Sequence, residues 1–307
     1  MNIIFMGTPD FAEYSLRKLS GSKHKILAVF TQPDRPAGRG YKLVPSAVKT
    51  AALELGFEVF QPDSPVTEHE RLSGYKPDAI VVVAYGKLLP EKILNIPKYG
   101  CVNLHGSLLP EYRGAAPIQW NIINGGEYGG TTTMLMDEGM DTGDILLQEK
   151  TKIGDEETAG ELFERLKVSG AYLLSKTLDK LENGDITPQK QDEAAATYAP
   201  KITGDMCLIN FEIGAKSVQK LICGLSPGPG AYTLLNGKKL KILRARVADS
   251  DVAGIKKTVG AMINKNGRLI IPCVSGAVEA TEIQYEGSRR MSAAEFINGH
   301  KNLIYNA

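Results

Sequence analysis

The stretch CVNLHGSLLPEYRGAAP, residues 101–117, governs the interpretation of both the fold and the chemistry of this sequence. An apolar run ends in Asn103 and His105, and the chain then turns through Gly106 and Ser107. Residues two positions apart in a β-strand point to the same face, so the amide and the imidazole would project together from the strand end. Open α/β sheets place their chemistry at such ends. The alternative is a strand that finishes with two polar residues satisfied by backbone groups, and we favour the functional interpretation.

Short apolar runs alternate with amphipathic stretches over the first two thirds of the chain. This alternation indicates βαβ units and a doubly wound, mostly parallel sheet of the Rossmann-like type. The predicted strands are residues 2–6, 25–31, 78–84, 100–104, 130–136 and 144–150. The predicted helices are residues 9–20, 46–55, 115–124 and 155–183. The lone Gly7 is not a GxGxxG fingerprint, so a nicotinamide-dependent enzyme is not expected.

The last third of the chain predicts a separate, smaller β domain. Residues 187–204 are poor in large aliphatic side chains and read as a linker between a catalytic domain, residues 1–186, and a C-terminal domain, residues 205–307. Asn236-Gly237 and Asn266-Gly267 are hairpin-turn signals. A helix near residues 215–223 precedes predicted strands at residues 231–235, 239–247, 258–264, 268–273 and 277–284. Five short strands in a basic segment suggest a small OB-like barrel, a fold often used on nucleic acids.

The composition argues against several classes of protein. No apolar segment approaches the roughly eighteen residues that a membrane helix needs, and the first residues lack the basic region of a signal peptide. The four cysteines form no CxxC pair, so we expect neither a zinc site nor a disulfide framework, but buried thiols in a reducing, cytoplasmic setting. The histidines other than His105 have no acidic or cysteine partner nearby and are expected at the surface.

The charge is distributed unevenly along the chain. Residues 204–307 carry fourteen Lys and Arg against eight Asp and Glu, whereas residues 1–203 carry 22 against 27. A basic module is a modest indication of a polyanionic partner, because Lys and Arg make phosphate contacts; chance surface charge carries equal weight. The stretch TQPDRPAGRGYKLVPS, residues 31–46, adds three cations on a long loop, where we favour phosphate-backbone binding over ordinary surface charge. These cations are Arg35, Arg39 and Lys42.

Acidic residues follow in the glycine-punctuated segment MDEGMDTGDILLQ, residues 136–148. Asp137 and Asp144 are typical of turns, whereas Asp141 is the better catalytic candidate because the turn could bring its carboxylate next to His105. No Ser or Cys stands in a nucleophile-elbow context, so covalent acyl transfer is disfavoured. An amide can donate to a developing oxyanion, a histidine can carry protons, and an aspartate can orient the imidazole. The trio fits direct attack of an amine on an activated acyl carbon.

These motifs resemble the formyl-folate transferase family over nearly the whole chain. The resemblance is carried by NLHGSLLPEYRGAAPI together with MGTPDFA, TQPDRPAGRG, VVVAYGKLLP and MDEGMDTGDIL. The Asn-x-His and Asp elements are shared with hydrolase relatives, whereas SLLPxxRGAAP and the Arg-rich loop are more specific to members that formylate tRNA. The resemblance implies transfer of the formyl group of 10-formyltetrahydrofolate to the α-amino group of methionyl-initiator tRNA in translation initiation. It further implies a cytoplasmic monomer that uses no metal.

The resemblance also assigns residue roles. It implies that Asn103, His105 and Asp141 are catalytic. It implies tetrahydrofolate binding by the turn Ser107, Leu108, Leu109 and Pro110, and by Tyr85, Gly86 and Leu88 of the segment that holds the pterin ring through backbone groups. It implies tRNA contacts by Arg35, Arg39 and Lys42. Trp120 departs from the family pattern, in which we expect a polar or basic residue. The alternatives are a formyl-folate-dependent transferase or hydrolase with another substrate, and a non-catalytic RNA-binding protein.

Overall fold

The strands that the apolar runs predict are present in a computed structural model, which describes residues 1–37, 42–249 and 258–306. The chain forms two units. The first contains residues 1–114, 130–151 and 163–198, and the second contains residues 115–129, 152–162 and 199–307. The second unit therefore includes two short segments from within the predicted catalytic domain.

The strands are numbered in chain order. They are β1 (Asn2–Gly7), β2 (Lys25–Phe30), β3 (Arg35–Ala37), β4 (Lys42–Val44), β5 (Val59–Phe60), β6 (Ala79–Val83), β7 (Cys101–His105), β8 (Arg113–Gly114), β9 (Tyr128–Leu135), β10 (Ile145–Lys152), β11 (Tyr198–Ala199), β12 (Ala231–Leu235), β13 (Lys238–Val247), β14 (Ile263–Lys265), β15 (Arg268–Pro272), β16 (Ala277–Tyr285), β17 (Arg290–Ser292) and β18 (Tyr305–Asn306). The α-helices are α1 (Asp10–Ser20), α2 (Ala47–Glu54), α3 (His69–Gly74), α4 (Glu91–Leu94), α5 (Pro117–Ile123), α6 (Ala159–Asn183), α7 (Ala215–Gly224) and α8 (Ala293–Gly299).

The first unit is built on a seven-stranded sheet in the order β10-β9-β7-β6-β1-β2-β5. The pairs β1/β2, β1/β6, β6/β7 and β2/β5 are parallel, and β7/β9 is antiparallel. The predicted mostly parallel sheet is therefore confirmed. All five residues of β6, the run AIVVV, are buried, as expected for a central parallel strand covered on both faces. Strand β7 pairs with β6 in parallel, in a register that places Asn103 opposite Val82.

The long helix α6 begins four residues later than the predicted start at residue 155. A capping box explains the position: Glu161 N–H donates to Thr158 Oγ1, and the Glu161 carboxylate accepts the N–H of Thr158. The helix ends just before Gly184, whose φ of +74° is a common C-terminal signal. Local capping chemistry therefore sets both ends of this helix.

The second unit contains a largely antiparallel sheet in the order β12-β13-β16-β15-β14-β18, with β17 paired to β16. Both predicted hairpin turns have positive φ at each central residue, as type I′ turns require: +49° and +74° at Asn236-Gly237, and +54° and +80° at Asn266-Gly267. The predicted strand at residues 258–264 is wrong at its start. The chain turns there, with Ala261 N–H donating to Thr258 O, and β14 begins only at Ile263.

The core of the second unit forms between its helices and this sheet. Buried apolar side chains come from α7 (Ile222), β13 (Ile242), β16 (Val278) and α8 (Phe296). The four cysteines of the chain are free and buried, as expected. The surface expectation for histidines is wrong for His24, which is 4% exposed and packs between β2 and the end of α6 with its Nε2 3.3 Å from Asp179 Oδ1.

Candidate active site

Strand β7 carries the amide and the imidazole to the carboxyl end of the parallel sheet. Asn103 and His105 lie on one face because they are two residues apart on the same strand. Asn103 is half-buried, and His105 is 7% exposed. Within the part of the chain that the structure describes, the Asn103 carboxamide makes no hydrogen bond, so its N–H groups are available to a bound molecule.

The His105 ring lies between two acceptors. Its Nε2 is 2.9 Å from the carbonyl oxygen of Tyr112, and since a carbonyl can only accept, Nε2 carries a proton. Its Nδ1 is 3.6 Å from Asp141 Oδ2, longer than a hydrogen bond but within ion-pair distance. Catalytic contacts of this kind often tighten only when substrate binds. Both ring nitrogens therefore face oxygen acceptors.

Asp141 reaches His105 from a turn between β9 and β10. Its φ of +57° is the left-handed conformation, which is uncommon for residues other than glycine. Its Oδ2 accepts the N–H of Gly114 at 2.8 Å, and its side chain is only 15% exposed. In the same turn the carboxylate of Asp137 accepts from Gly139 N–H and Thr142 Oγ1, which is the turn role predicted for it.

Side chains from β9 and β10 hold the turn at residues 107–110 through hydrogen bonds. Thr132 Oγ1 donates to Ser107 O at 2.7 Å and accepts the Leu109 N–H at 3.0 Å. Gln148 Nε2 donates to Leu109 O at 2.8 Å and to Thr132 Oγ1 at 2.9 Å. The Ser107 hydroxyl is fully buried and donates to Glu111 O at 2.6 Å. Sequence reasoning did not single out Thr132 or Gln148, because no local pattern predicts a role for either side chain.

Within this turn, Leu109 is buried, whereas Leu108 and Pro110 are partly exposed. The side chains of Ser107 and Leu109 therefore pack into the protein interior. Leu108 and Pro110 are the side chains of the turn that a ligand can reach.

The second predicted folate-binding segment follows β6. The Tyr85 carbonyl accepts from Thr8 Oγ1 at 3.1 Å and from Gln32 Nε2 at 2.8 Å. The Tyr85 ring is buried, and burial together with the Glu68 carboxylate raises the pKa of its hydroxyl to about 12. Gly86 has a φ of +78°, where a Cβ would lie 2.4 Å from Gln32 Nε2. Gly86 and Leu88, which is 68% exposed, form the accessible part of the segment.

The predicted tRNA-binding loop is a hairpin at its base. Strands β3 and β4 pair antiparallel from Arg35 opposite Val44 to Ala37 opposite Lys42. Arg35 is exposed and donates from Nη2 to Gln32 Oε1 at 2.5 Å. Arg39 lies outside the described residues, and Lys42 pairs with Ala37 through its backbone. Within the predicted loop, residues 31–46, three residues on each side of the undescribed residues 38–41 therefore form strands.

A cavity of about 590 Å³ lies at the opposite end of the sheet. Its lining includes Lys76, Asp78 and Lys98, which precede strands β6 and β7, so it is at the amino ends of the strands that carry Asn103 and His105 at their carboxyl ends. None of the predicted site residues lines this cavity. We therefore define the candidate active site by its side-chain chemistry.

Two further properties bear on what the site can hold. Among the described residues, no group of three or more His, Cys, Asp and Glu side chains is arranged to bind a metal ion. In the same part of the chain, none of the helices combines the length and the apolar character that crossing a membrane requires.

Trp120, the predicted departure from the family, donates from its indole N–H to Pro200 O at 2.7 Å within the second unit.

A mostly parallel sheet with an amide, an imidazole and a carboxylate at its carboxyl edge defines an enzyme of the group-transfer or hydrolytic class. The formyl transferase family profile matches residues 1–178, and the profile of the formyl transferase C-terminal domain matches residues 201–301. The chain belongs to the formyl transferase family.

Two methionyl-tRNA formyltransferases are similar to this chain over nearly their full length. The enzyme of Lachnospira eligens is 47% identical over 307 residues, which covers 98% of this chain and 97% of that protein. The enzyme of Caldanaerobacter subterraneus subsp. tengcongensis is 47% identical over 303 residues, with the same shares covered.

Solved structures share the fold at low identity. An N-formyltransferase from Helicobacter canadensis, crystallised with folinic acid and dTDP-3-aminofucose, superposes with a TM-score of 0.68 at 19% identity, covering 92% of this chain and 98% of that one. A HypX variant from Aquifex aeolicus superposes with a TM-score of 0.68 at 18% identity over the whole of this chain, which spans 49% of HypX.

Proposed function

We propose that this chain transfers the formyl group of 10-formyltetrahydrofolate to the α-amino group of methionyl-initiator tRNA and so produces N-formylmethionyl-tRNA for translation initiation. The observation that carries the proposal is the meeting of Asn103, His105 and Asp141 at the carboxyl edge of the sheet. Full-length relatives that are 47% identical and are methionyl-tRNA formyltransferases support the substrate assignment. The proposal includes a cytoplasmic monomer.

In the proposed mechanism, the neutral methionyl amine attacks the formyl carbon held on the folate nitrogen. A C–N bond to methionine forms, and the carbonyl oxygen becomes an oxyanion. The C–N bond to the folate then breaks, and the proton lost by the amine is balanced by a proton gained at the folate nitrogen. Each step moves charge onto and off one oxygen, so the groups around that oxygen carry the catalysis.

Asn103 is assigned the direct N–H contact to the oxyanion, because its carboxamide has no hydrogen-bond partner among the described residues. A single donor of this kind typically contributes about 10²–10³-fold to kcat. His105 lies against two acceptors, so we assign it a different part: its positive charge stabilises the oxyanion while Asp141 orients the ring and accepts the proton that the amine loses.

We assign the folate to the surface formed by two backbone segments. Leu108 and Pro110 on one side and Gly86 and Leu88 on the other provide exposed apolar groups and backbone atoms for the pterin ring. The Tyr85 ring takes no part, because it is buried, and its carbonyl is already occupied. We assign the tRNA to the segment 31–46, with its cations Arg35, Arg39 and Lys42, and to the basic C-terminal third.

The test is an assay with three acceptors for the same formyl donor. The purified chain is incubated with 10-formyltetrahydrofolate and, in parallel, with methionyl-initiator tRNA, a nucleotide-linked amino sugar, or water alone. The proposal expects formylmethionine on the tRNA and neither a formylated sugar nor free formate at a comparable rate. Formylation of the sugar, or release of formate at the same rate without tRNA, would show that the chain acts on another substrate.

A further inference from the structure

The turn that carries Asp141 is held in a conformation that it would not keep by itself. A φ of +57° is unfavourable for an aspartate and persists only where the surroundings impose it. Gly143 in the same turn has no room for a side chain, since a Cβ there would lie 1.7 Å from Leu135 O. The contacts that impose this conformation therefore determine where the Asp141 carboxylate lies relative to His105.

Gln191 makes the contacts that fix the turn. Its Nε2 donates to Asp141 O at 2.8 Å and to Gly143 O at 2.7 Å. Its Oε1 accepts from Arg113 Nε at 3.1 Å and from Arg113 Nη2 at 2.9 Å. A carboxamide has two N–H donors and one oxygen with two lone pairs, so every polar valence of this side chain is used.

Arg113 fixes Gln191 in turn. Its side chain is fully buried and forms a two-pronged ion pair with Glu193, at 2.9 Å from Nη1 to Oε2 and 2.7 Å from Nη2 to Oε1. The guanidinium lowers the pKa of the Glu193 carboxyl below its ordinary value. The next residue, Gly114, donates its N–H to Asp141 Oδ2. Arg113 therefore holds the backbone of Asp141 through Gln191, and Gly114 holds the Asp141 carboxylate directly.

We propose that Gln191, oriented by the buried Arg113, is a positioning residue that holds the Asp141 carboxylate against His105. This inference rests on the proposed function, because the carboxylate matters only if Asp141 serves the reaction. It also gives residues 187–204, which the sequence predicts to be a linker, a part in the chemistry of the site.

A purely architectural role for Gln191 is less well supported. The chain next to it is already held by Gln189, whose backbone pairs with Ile145 in both directions at 2.8 Å. The backbone of the segment therefore stays in place when the Gln191 side chain is removed. What is lost is the pair of N–H donors to the Asp141 turn, and the expected consequence is a misplaced carboxylate in a folded protein.

The test compares Gln191→Ala and Gln191→Glu with the control Gln189→Ala. Gln189 is exposed, and its side chain makes no hydrogen bond among the described residues, so the control should behave like the wild type. Displacing a catalytic group by about 1 Å costs on the order of 10²-fold in rate. We expect Gln191→Ala to lower kcat by about that factor, with KM for both substrates unchanged and the protein still folded by circular dichroism. Gln191→Glu keeps an acceptor for Arg113 but loses the two donors, so it should lose at least as much.

A double-mutant comparison separates positioning from architecture. Asp141→Asn keeps an acceptor for Gly114 but removes the carboxylate. If Gln191 acts through Asp141, then Gln191→Ala lowers kcat in the wild-type background and has no further effect in the Asp141→Asn background. An unchanged kcat in Gln191→Ala, or an equal fold-loss in both backgrounds, would overturn the inference.

A crystal structure of Gln191→Ala provides a readout that does not depend on the substrate. The inference expects the distance from Asp141 Oδ2 to His105 Nδ1 to increase from 3.6 Å while the rest of the first unit stays in place. An unchanged position of the Asp141 turn in Gln191→Ala would refute the inference, whatever the activity of the variant. Failure of the wild-type chain to formylate methionyl-tRNA would instead refute the proposed function and leave this structural result to be judged separately.

Discussion

The two halves of the candidate site are built in different ways. Asn103 and His105 lie on a buried strand whose neighbours on both sides fix its register. Asp141 lies on a turn with a positive φ, held by hydrogen bonds from Gly114 and from Gln191, which is fifty residues away along the chain. We refer to these as the strand half and the turn half of the site.

The difference teaches how each half can fail. Strand pairing is cooperative and is shared among many backbone hydrogen bonds, so a single side-chain change on β7 removes chemistry without moving the strand. The turn half depends on a few side-chain contacts, so a single change there moves the carboxylate while leaving the composition of the site intact. Variants of the strand half should thus lose activity with unchanged geometry, and variants of the turn half should lose both.

The largest effect is expected for His105→Ala. The substitution removes the imidazole that stabilises the oxyanion and that faces the Asp141 carboxylate, which should lower kcat by about 10²–10⁴-fold. Steady-state formylation of methionyl-tRNA measures the loss, and circular dichroism checks the fold. A kcat near the wild-type value would exclude His105 from the reaction.

The second prediction concerns Asn103→Ala on the same strand. Loss of one oxyanion donor should lower kcat by about 10²–10³-fold with KM for the folate little changed. The amide protons of β7 should exchange with solvent as slowly as in the wild type, because the strand half keeps its backbone pairing. A loss expressed wholly in KM would mean that Asn103 binds substrate without stabilising the transition state.

Gly143→Ala tests the turn half by steric means. The added Cβ would meet the backbone of Leu135, which cannot move away, so the turn must shift and take Asp141 with it. We expect kcat to fall by about 10²-fold, with unchanged hydrogen exchange in β7. The matched control is Gly74→Ala, where no heavy atom lies within 4 Å of the added Cβ and activity should not change. Equal effects of the two substitutions would contradict the difference between the halves.

Cys101 gives a chemical probe of the strand half. It is the first residue of β7, and burial raises the pKa of its thiol to about 12, so at pH 8 it is protonated and inaccessible. We expect no reaction with a disulfide reagent such as DTNB at pH 8 until the protein unfolds. The same protection should persist in Gly143→Ala and Gln191→Ala, with peptide mass spectrometry identifying the modified cysteine. Rapid labelling of Cys101 in those variants would show that the two halves are not independent.

The smallest effect is expected from the ion pair at the base of the turn half. Arg113 lowers the pKa of Glu193 from its ordinary value of 4.5, so the pair stabilises the fold fully above pH 4.5 and loses this contribution as the pH falls through the lowered value. The Glu193 side chain is 69% exposed, so solvent screening keeps the effect small. The difference in thermal midpoint between wild type and Glu193→Gln should be present at pH 7 and shrink below pH 4.5. A difference that grows with acidity would have the wrong sign.

The same contrast explains how much could be predicted from the sequence. Alternating apolar runs and the hairpin signals at Asn236-Gly237 and Asn266-Gly267 are local, and the structure confirms the mostly parallel sheet and both turns. The pairing of Asn103 with His105 follows from the two-residue period of a strand. These features depend on neighbours in sequence.

Features that depend on distant residues could not be predicted in this way. Arg113 was visible only as part of a motif, and its full burial against Gln191 and Glu193 depends on a segment that composition alone assigns to a linker. Thr132 and Gln148, which hold the turn at residues 107–110, lie on strands with no unusual pattern. Hydrogen-bond partners across tens of residues leave no periodic signal in a single sequence.

The central claim is that an amide from the strand and a carboxylate from the turn surround one reacting carbonyl, and a crystal structure with a stable formyl-folate analogue tests it most directly. The account predicts that the formyl oxygen lies about 2.7–3.1 Å from the Asn103 amide nitrogen and faces the His105 ring, with the Asp141 carboxylate on the side of the attacking amine. A formyl group bound in the cavity lined by Lys76, Asp78 and Lys98, away from Asn103, would contradict it.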